Sequence, residues 1–235
     1  MRLAAAAALF AGAVTAASPP AYAQTGNLLR CVVHHSPEAG RLATCTAPVA
    51  TGKGEWTFQI IGREPNIVTR VEIYEIGRDT PRQVLEGFEL RPTLVRGDAR
   101  TPGRIDIVLQ DVDFDRHADL RIAIGPAGAE GTAYRWFLFD RGADAFAPTG
   151  LLDAIRSPIV NARRKSIQGV FTDERGRTGR MVLKWRDGKL EPLSAIARER
   201  TEDGRCIASH YVRREGKFEK TRETECRPGA EPGED

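Results

Sequence analysis

Asp111-Val-Asp-Phe-Asp-Arg-His-Ala-Asp119-Leu-Arg-Ile-Ala-Ile124 is the stretch on which the reading of this chain turns. Its first nine residues crowd four carboxylates into a short loop. Its last five alternate as a half-buried strand does. Oxygen-only ligands, several of them charged, are what a hard cation such as Ca2+ requires. With no cation, the same loop holds like charges together at a cost. In the calcium reading, Asp111, Asp113 and Asp115 give side-chain oxygens, His117 gives its backbone carbonyl and Asp119 closes the site. The other reading is an acidic surface turn that binds no metal. The loop opens like an EF-hand, but the closing bidentate Glu of that motif falls on Ile122. A strand pattern follows where an EF-hand has a helix, so the expected site is strand–loop–strand. Arg116 stands where the sharp turn usually takes Gly. A non-Gly residue in the left-handed region costs roughly 1–2 kcal/mol, so a modest affinity is expected.

Outward from the loop, strand signals dominate. Trp56 to Ile61, Ile67 to Ile76 and Gln83 to Leu90 alternate, Arg104 to Leu109 enters the loop, and Leu120 to Ile124 leaves it. Ala133 to Asp140 is rich in aromatics, with Tyr134 and Trp136 on one face and Arg135 and Phe137 on the other. At least one of those aromatic faces is expected in the core. Ser166 to Phe171, Met181 to Trp185 and Leu190 to Ala197 complete the set, with Asp187-Gly188 as a two-residue hairpin turn. Leu151 to Val160 is read as holding one short helical turn before or after Pro158. Short strands at fairly even spacing point to one antiparallel all-β domain: a sandwich, a barrel or a propeller-like array.

The N-terminus has the form of a secretory signal: Arg2, an Ala-rich apolar core from Leu3 to Val14, and Ala21-Tyr-Ala23 as cleavage site. Residues 1–23 are read as the signal peptide, 24–226 as the folded domain and 227–235 as a Pro/Gly/acid-rich disordered tail. Losing Arg2 lowers the formal net charge from +3 to +2. That near-balance gives no case for nucleic acid, and no later segment is apolar enough to insert in a membrane. The location is therefore expected to be periplasmic or secreted, where disulfides persist.

Four cysteines allow three connectivities. Cys31 and Cys45 are equidistant from Glu38 in the turn sequence Ser36-Pro-Glu-Ala-Gly40. Cys206 and Cys226 are equidistant from Gly216 in Arg214-Glu-Gly-Lys217. Each pair faces its partner across a predicted hairpin, within disulfide reach. This favours Cys31–Cys45 and Cys206–Cys226 over a metal-binding cluster, since the chain has no Cys-x-x-Cys.

Nothing argues for an enzyme. Gly-x-Ser-x-Gly, His-Glu-x-x-His and phosphate-binding Gly loops are absent. His34 and His35 point to opposite faces of a strand, and His210 lies on the other disulfide hairpin. Arg96-Gly-Asp98 reads as a chance turn and Arg163-Arg-Lys165 as a solvated strand entry.

From Ile105 to about Ile196 the chain resembles a family of secreted bacterial proteins with an integrin-like (FG-GAP-like) β-propeller fold. The resemblance rests on Asp111 to Leu120, Tyr134-Arg-Trp-Phe-Leu-Phe-Asp140, Leu151-Leu-Asp-Ala-Ile-Arg-Ser-Pro158 and Lys184-Trp-Arg-Asp-Gly-Lys-Leu190. It departs at Arg116, where the family has Gly, and at Ser157-Pro158, where it has Asn-Pro. Its best understood members resemble periplasmic immunity proteins, which protect a cell from lysozyme-like toxins delivered by neighbours through secretion systems. The resemblance implies a β-propeller-like domain with bound Ca2+ and a lysozyme-like peptidoglycan hydrolase as protein partner. An inhibitor must present a rigid protruding loop to the paired carboxylates of such an enzyme. Pro126 to Tyr134 is the candidate, with Glu130, Gly131, Thr132, Tyr134 and Arg135 as contacts; the plainer reading is an ordinary Gly-rich hairpin loop. Two other functions compete: a non-catalytic cell-envelope binding or structural module on the same fold, and a secreted hydrolase with an unrecognised site.

Overall fold

The computed structural model describes residues 28–34, 40–50, 53–63, 66–97, 103–128, 131–150 and 152–226. The expected signal peptide and tail, the turn around Glu38, His35, Asp98 and Glu130 lie outside them. The described residues form strands and turns and no α-helix.

Three antiparallel sheets follow one another along the chain. The first is a five-stranded meander: β1 (Arg30–Val33), β2 (Arg41–Pro48), β3 (Glu55–Arg63), β4 (Ile67–Glu75) and β5 (Gln83–Leu90). A short pair, β6 (Leu94–Val95) and β7 (Arg104–Ile105), bridges to the second sheet. That sheet holds β8 (Ile107–Gln110), β9 (Asp119–Ala123), β10 (Tyr134–Asp140) and β11 (Ala145–Thr149), each paired with its chain neighbour. The third is a six-stranded meander: β12 (Arg156–Asn161), β13 (Ser166–Thr172), β14 (Thr178–Arg186), β15 (Lys189–Arg200), β16 (Cys206–Arg214) and β17 (Lys217–Glu225). Each sheet is open; among the described residues none closes on itself.

Period-two patterning places the core. In β3, Trp56, Phe58 and Ile60 are buried and their neighbours are half-exposed. The second sheet is the exception, because it is covered on both faces. Leu120, Ile122, Phe137 and Phe139 join the first sheet's Trp56, Phe58 and Val71 in one core. Tyr134, Trp136 and Ala123 join the third sheet's Ile167 and Leu183 in another. Both faces of β10 are therefore core, and Trp136 is fully buried. Edge-to-face ring contacts knit the first two sheets, with Trp56 5.7 Å from Phe139 and Phe58 6.0 Å from Phe146.

Both disulfides join the pairs read from the spacing, Cys31–Cys45 and Cys206–Cys226. The first links directly opposed residues of β1 and β2. The second closes the open end of the β16–β17 hairpin, whose turn has Glu215 at φ 47° and Gly216 at φ 81°. Asp187-Gly188 makes the corresponding turn between β14 and β15, at φ 49° and 71°. Two positive φ angles match the right-handed strand twist.

Three details differ from the sequence reading. Arg104 to Leu109 is two strands, because the chain switches partners at Asp106: its N–H donates to Thr93 O at 2.9 Å and its carbonyl accepts from Ala123 N at 3.1 Å. β11 and β12 carry Pro148 and Pro158, which masked them as strands. Both lie at sheet edges, where a missing N–H is tolerated, and Pro158 sits in a register shift. The helical turn expected near Pro158 is a single hydrogen-bonded turn before it, with Ile155 N donating to Leu152 O at 3.0 Å.

Candidate metal centre

The acidic loop spans the gap between β8 and β9 at one edge of the middle sheet. Asp111, Asp113 and Asp115 are all half-buried, and each can offer an oxygen within 4.8 Å of the other two. Their remaining acceptor capacity folds the loop. Asp111 accepts N–H donors from Phe114 at 2.7 Å and Arg116 at 3.0 Å, Asp113 accepts from Asp115 N at 3.1 Å, and Asp115 accepts from His117 N at 2.8 Å. These bonds force a tight path: Phe114 has φ 65° and Arg116 φ 75°. The strain expected at Arg116 is present, and a second strained position, Phe114, accompanies it. Phe114 is held by packing against the core between the second and third sheets. Arg116 is exposed and has no such anchor. Arg116→Gly is therefore expected to stabilise the protein by about 1 kcal/mol and to tighten calcium binding, both measurable by thermal melts at graded calcium.

The electrostatics suit a cation. Burial, and next the charge of Asp115, push the Asp113 carboxyl up from 3.8 to about 7. Burial also raises Asp111, against the N–H bonds from Arg116 and Phe114. Three crowded carboxylates with oxygen donors only fit the hard, flexible coordination of Ca2+. One pH dependence follows. In chelator, the folded state holds protons on Asp111 and Asp113 that the unfolded chain has already released. The contribution of these two carboxyls to stability is then full below about pH 4 and is lost as pH rises through about 7. With calcium that fall is expected to shrink, since the cation displaces the protons. Melting temperatures at pH 5 and pH 7.5, with and without chelator, test this; a higher value at pH 7.5 in chelator counts against it.

Asp119 takes a different place from the other three. It is 1% exposed at the start of β9. One oxygen accepts Val112 N at 2.8 Å and the other accepts Phe139 N at 2.9 Å. Burial first, then the charge of Asp113, push its carboxyl well above the usual range, and the two N–H donors pull the other way. Asp119 thus ties the loop to β10 and adds charge behind the trio, but it lies outside the group of mutually close oxygens. His117 contributes its main chain to a bridge with Ala50, and its ring stacks on Phe139 at 5.2 Å. Trp185 Nε1 donates to Val112 O at 2.9 Å, so the third sheet also holds the loop in place.

The described ends of the candidate inhibitory loop are pinned to each other. Gly128 and Gly131 exchange backbone hydrogen bonds at 3.3 and 2.9 Å across residues 129–130. Gly131 has φ 92°, and a Cβ there would meet Ser157 Oγ at 2.0 Å, so both conformation and space require glycine. Thr132 is docked on Ser157, which donates its N–H to Thr132 O at 2.7 Å and accepts Thr132 N at 3.1 Å on its Oγ. Ser157, the residue that stands for the family's Asn, has φ 44°, a region Asn tolerates well. Tyr134 is buried, its hydroxyl 3.3 Å from Asp106, and presents no exposed ring. Arg135 is exposed and 3.7 Å from Asp153.

One cluster had no signal in the sequence. Lys53 pairs with Asp144, and Arg82 reaches the same carboxylate at 2.7 Å and stacks 4.4 Å over Trp56. The hydrogen bond from Lys53 holds the Asp144 carboxyl below its usual value. This clamp joins the first two sheets across long sequence separations, which no local pattern reveals.

No protein-family model matches the chain, and no curated protein matches it. Among solved structures, it is similar in fold to a Xanthomonas protein described as related to a type IV secretion system. The TM-score is 0.51 and the identity 14%, over 82% of this chain and 99% of that one. At this identity the likeness is one of fold. The two disulfides are compatible with an extracytoplasmic location.

Proposed function

We propose that this is a periplasmic, calcium-binding immunity protein, in which three blade-like sheets of a propeller-like, integrin-like array carry a loop that inhibits a lysozyme-like peptidoglycan hydrolase. The observation that carries the reading is the half-buried carboxylate trio of the acidic loop, set in the motif order from Asp111 to Leu190 that resembles such proteins; the fold likeness to the Xanthomonas secretion-system-related protein is compatible with it. A toxin delivered between cells requires a resident antidote, and a rigid binding protein supplies one. The carboxylate trio supports the calcium half of the reading. Calcium and the disulfide of β1–β2 would stiffen the stack, which lowers the ordering cost of binding. In this reading Gly131, Thr132 and Arg135 are the described positions that would meet an enzyme cleft, and the buried Tyr134 would support them from the core. The protein itself performs no chemistry in this reading.

The test is capture by the mature protein from periplasmic and secreted extracts, with calcium and with chelator, followed by a peptidoglycan-lysis assay on whatever is captured. Recovery of a hydrolase whose lysis stops on adding the protein is the expected result. Recovery of wall fragments or envelope proteins alone would instead assign a non-catalytic envelope module on the same fold.

A further inference from the structure

The third sheet ends in two turns, Asp173–Arg177 between β13 and β14 and Thr201–Arg205 between β15 and β16. Together with the ends of β14, β15 and β16 they enclose a cleft of about 500 Å³, a size that suits a small ligand. Arg175, Arg177, Thr178, Arg198, Glu199 and Arg200 line it. Four arginines and one glutamate thus contribute to its lining.

The turns make this imbalance persistent. Asp173 accepts N–H donors from Arg175 at 3.0 Å and Arg177 at 2.9 Å, and its second oxygen takes Arg177 Nε at 2.7 Å. Arg177 also donates to the Tyr211 hydroxyl at 3.1 Å. Arg177 is therefore held and neutralised. In the neighbouring turn, Arg205 meets Asp203 at 2.7 Å and Glu225 at 3.7 Å. Arg175 and Arg200 have no ion pair among the described residues. Arg180 adds to the field: it stands opposite Ile196 on the same sheet face as Arg198, one diagonal step away. Arg175 and Arg200 are therefore the two exposed arginines of the lining on which an anion can act. Clustered like charges are unfavourable until an anion joins them.

We propose that this cleft binds a doubly charged oxyanion of the phosphate or carboxylate class. Guanidinium groups match the planar oxygen pairs of such groups, and the bonds are charge-assisted. The site is independent of the acidic loop and of the hydrolase reading.

The experiment titrates inorganic phosphate and, separately, malonate into the mature protein by calorimetry. Chelator is present, and ionic strength is matched with chloride. Saturable binding is expected, weakened roughly tenfold or more in R175Q/R200Q, since charge-assisted hydrogen bonds are lost. The melting temperature without anion should not fall, because both side chains are exposed and the substitutions remove like charges. R141Q, at an exposed arginine away from the cleft, should bind as the wild type does. The single variant R175Q gives the same reading with less disturbance. Binding of phosphate alone assigns a phosphoryl ligand, of malonate alone a carboxylate, and of both the shared chemistry. Equal affinity in wild type and R175Q/R200Q, or no binding of either probe by about 10 mM, overturns the proposal.

Discussion

Calcium is expected to raise the melting temperature of the mature protein by roughly 5–10 °C at a hundredfold excess over its Kd. A ligand that binds only the folded state stabilises it by about 2.7 kcal/mol at that excess, and about 1 kcal/mol moves a domain of this size by 2–4 °C. Asp113→Ala should remove most of that gain, because the trio loses one of its three charged oxygens. In chelator at neutral pH the same substitution should change stability little. It deletes a carboxyl that burial and Asp115 already hold at about 7, at the cost of one half-exposed hydrogen bond to Asp115 N. A substitution that is harmful only with calcium separates a metal ligand from a structural acid. If chelation leaves the wild-type melt unmoved, the ligand assignment fails.

Asp119→Ala is expected to behave in the opposite way, destabilising the protein by roughly 2–6 kcal/mol with or without calcium. Its two oxygens accept the N–H groups of Val112 and Phe139, and removing them leaves two buried donors without partners, each costing about 1–3 kcal/mol. Phe139 belongs to the core shared with the first sheet, and Val112 to the core shared with the third. The damage should therefore reach both interfaces of the middle sheet. Denaturant unfolding in chelator is the measurement; a loss confined to calcium-containing buffer would make Asp119 a ligand first and a structural tie second.

The contrast between these two acids shows how far local reasoning reaches. Asp113 and Asp119 look alike in sequence, two members of one acidic loop. Their difference depends on β10, which brings Phe139 N to Asp119 and nothing comparable to Asp113. The same limit applies to Tyr134. Its place in a Gly-rich loop suggested a contact residue, and the third sheet covering it made it core. Pro148 and Pro158 hid two strands because a proline reads as a breaker; that both strands are edges is a property of the finished sheets.

What the sequence by itself determined are the features carried by neighbouring residues. The alternation of β3, β4 and β10, the Asp187-Gly188 turn, the two disulfide hairpins and the acidic loop all rest on contacts within a few residues or across one hairpin. Hairpin register follows from turn geometry, so even Cys31 and Cys45 could be paired from spacing. Only the tertiary structure decided the order of the sheets, the double burial of the middle one, the Lys53–Asp144–Arg82 clamp and the arginine cleft. Those depend on side chains brought together from separate sheets or successive turns, and a linear chain carries no local mark of which distant surface will cover it.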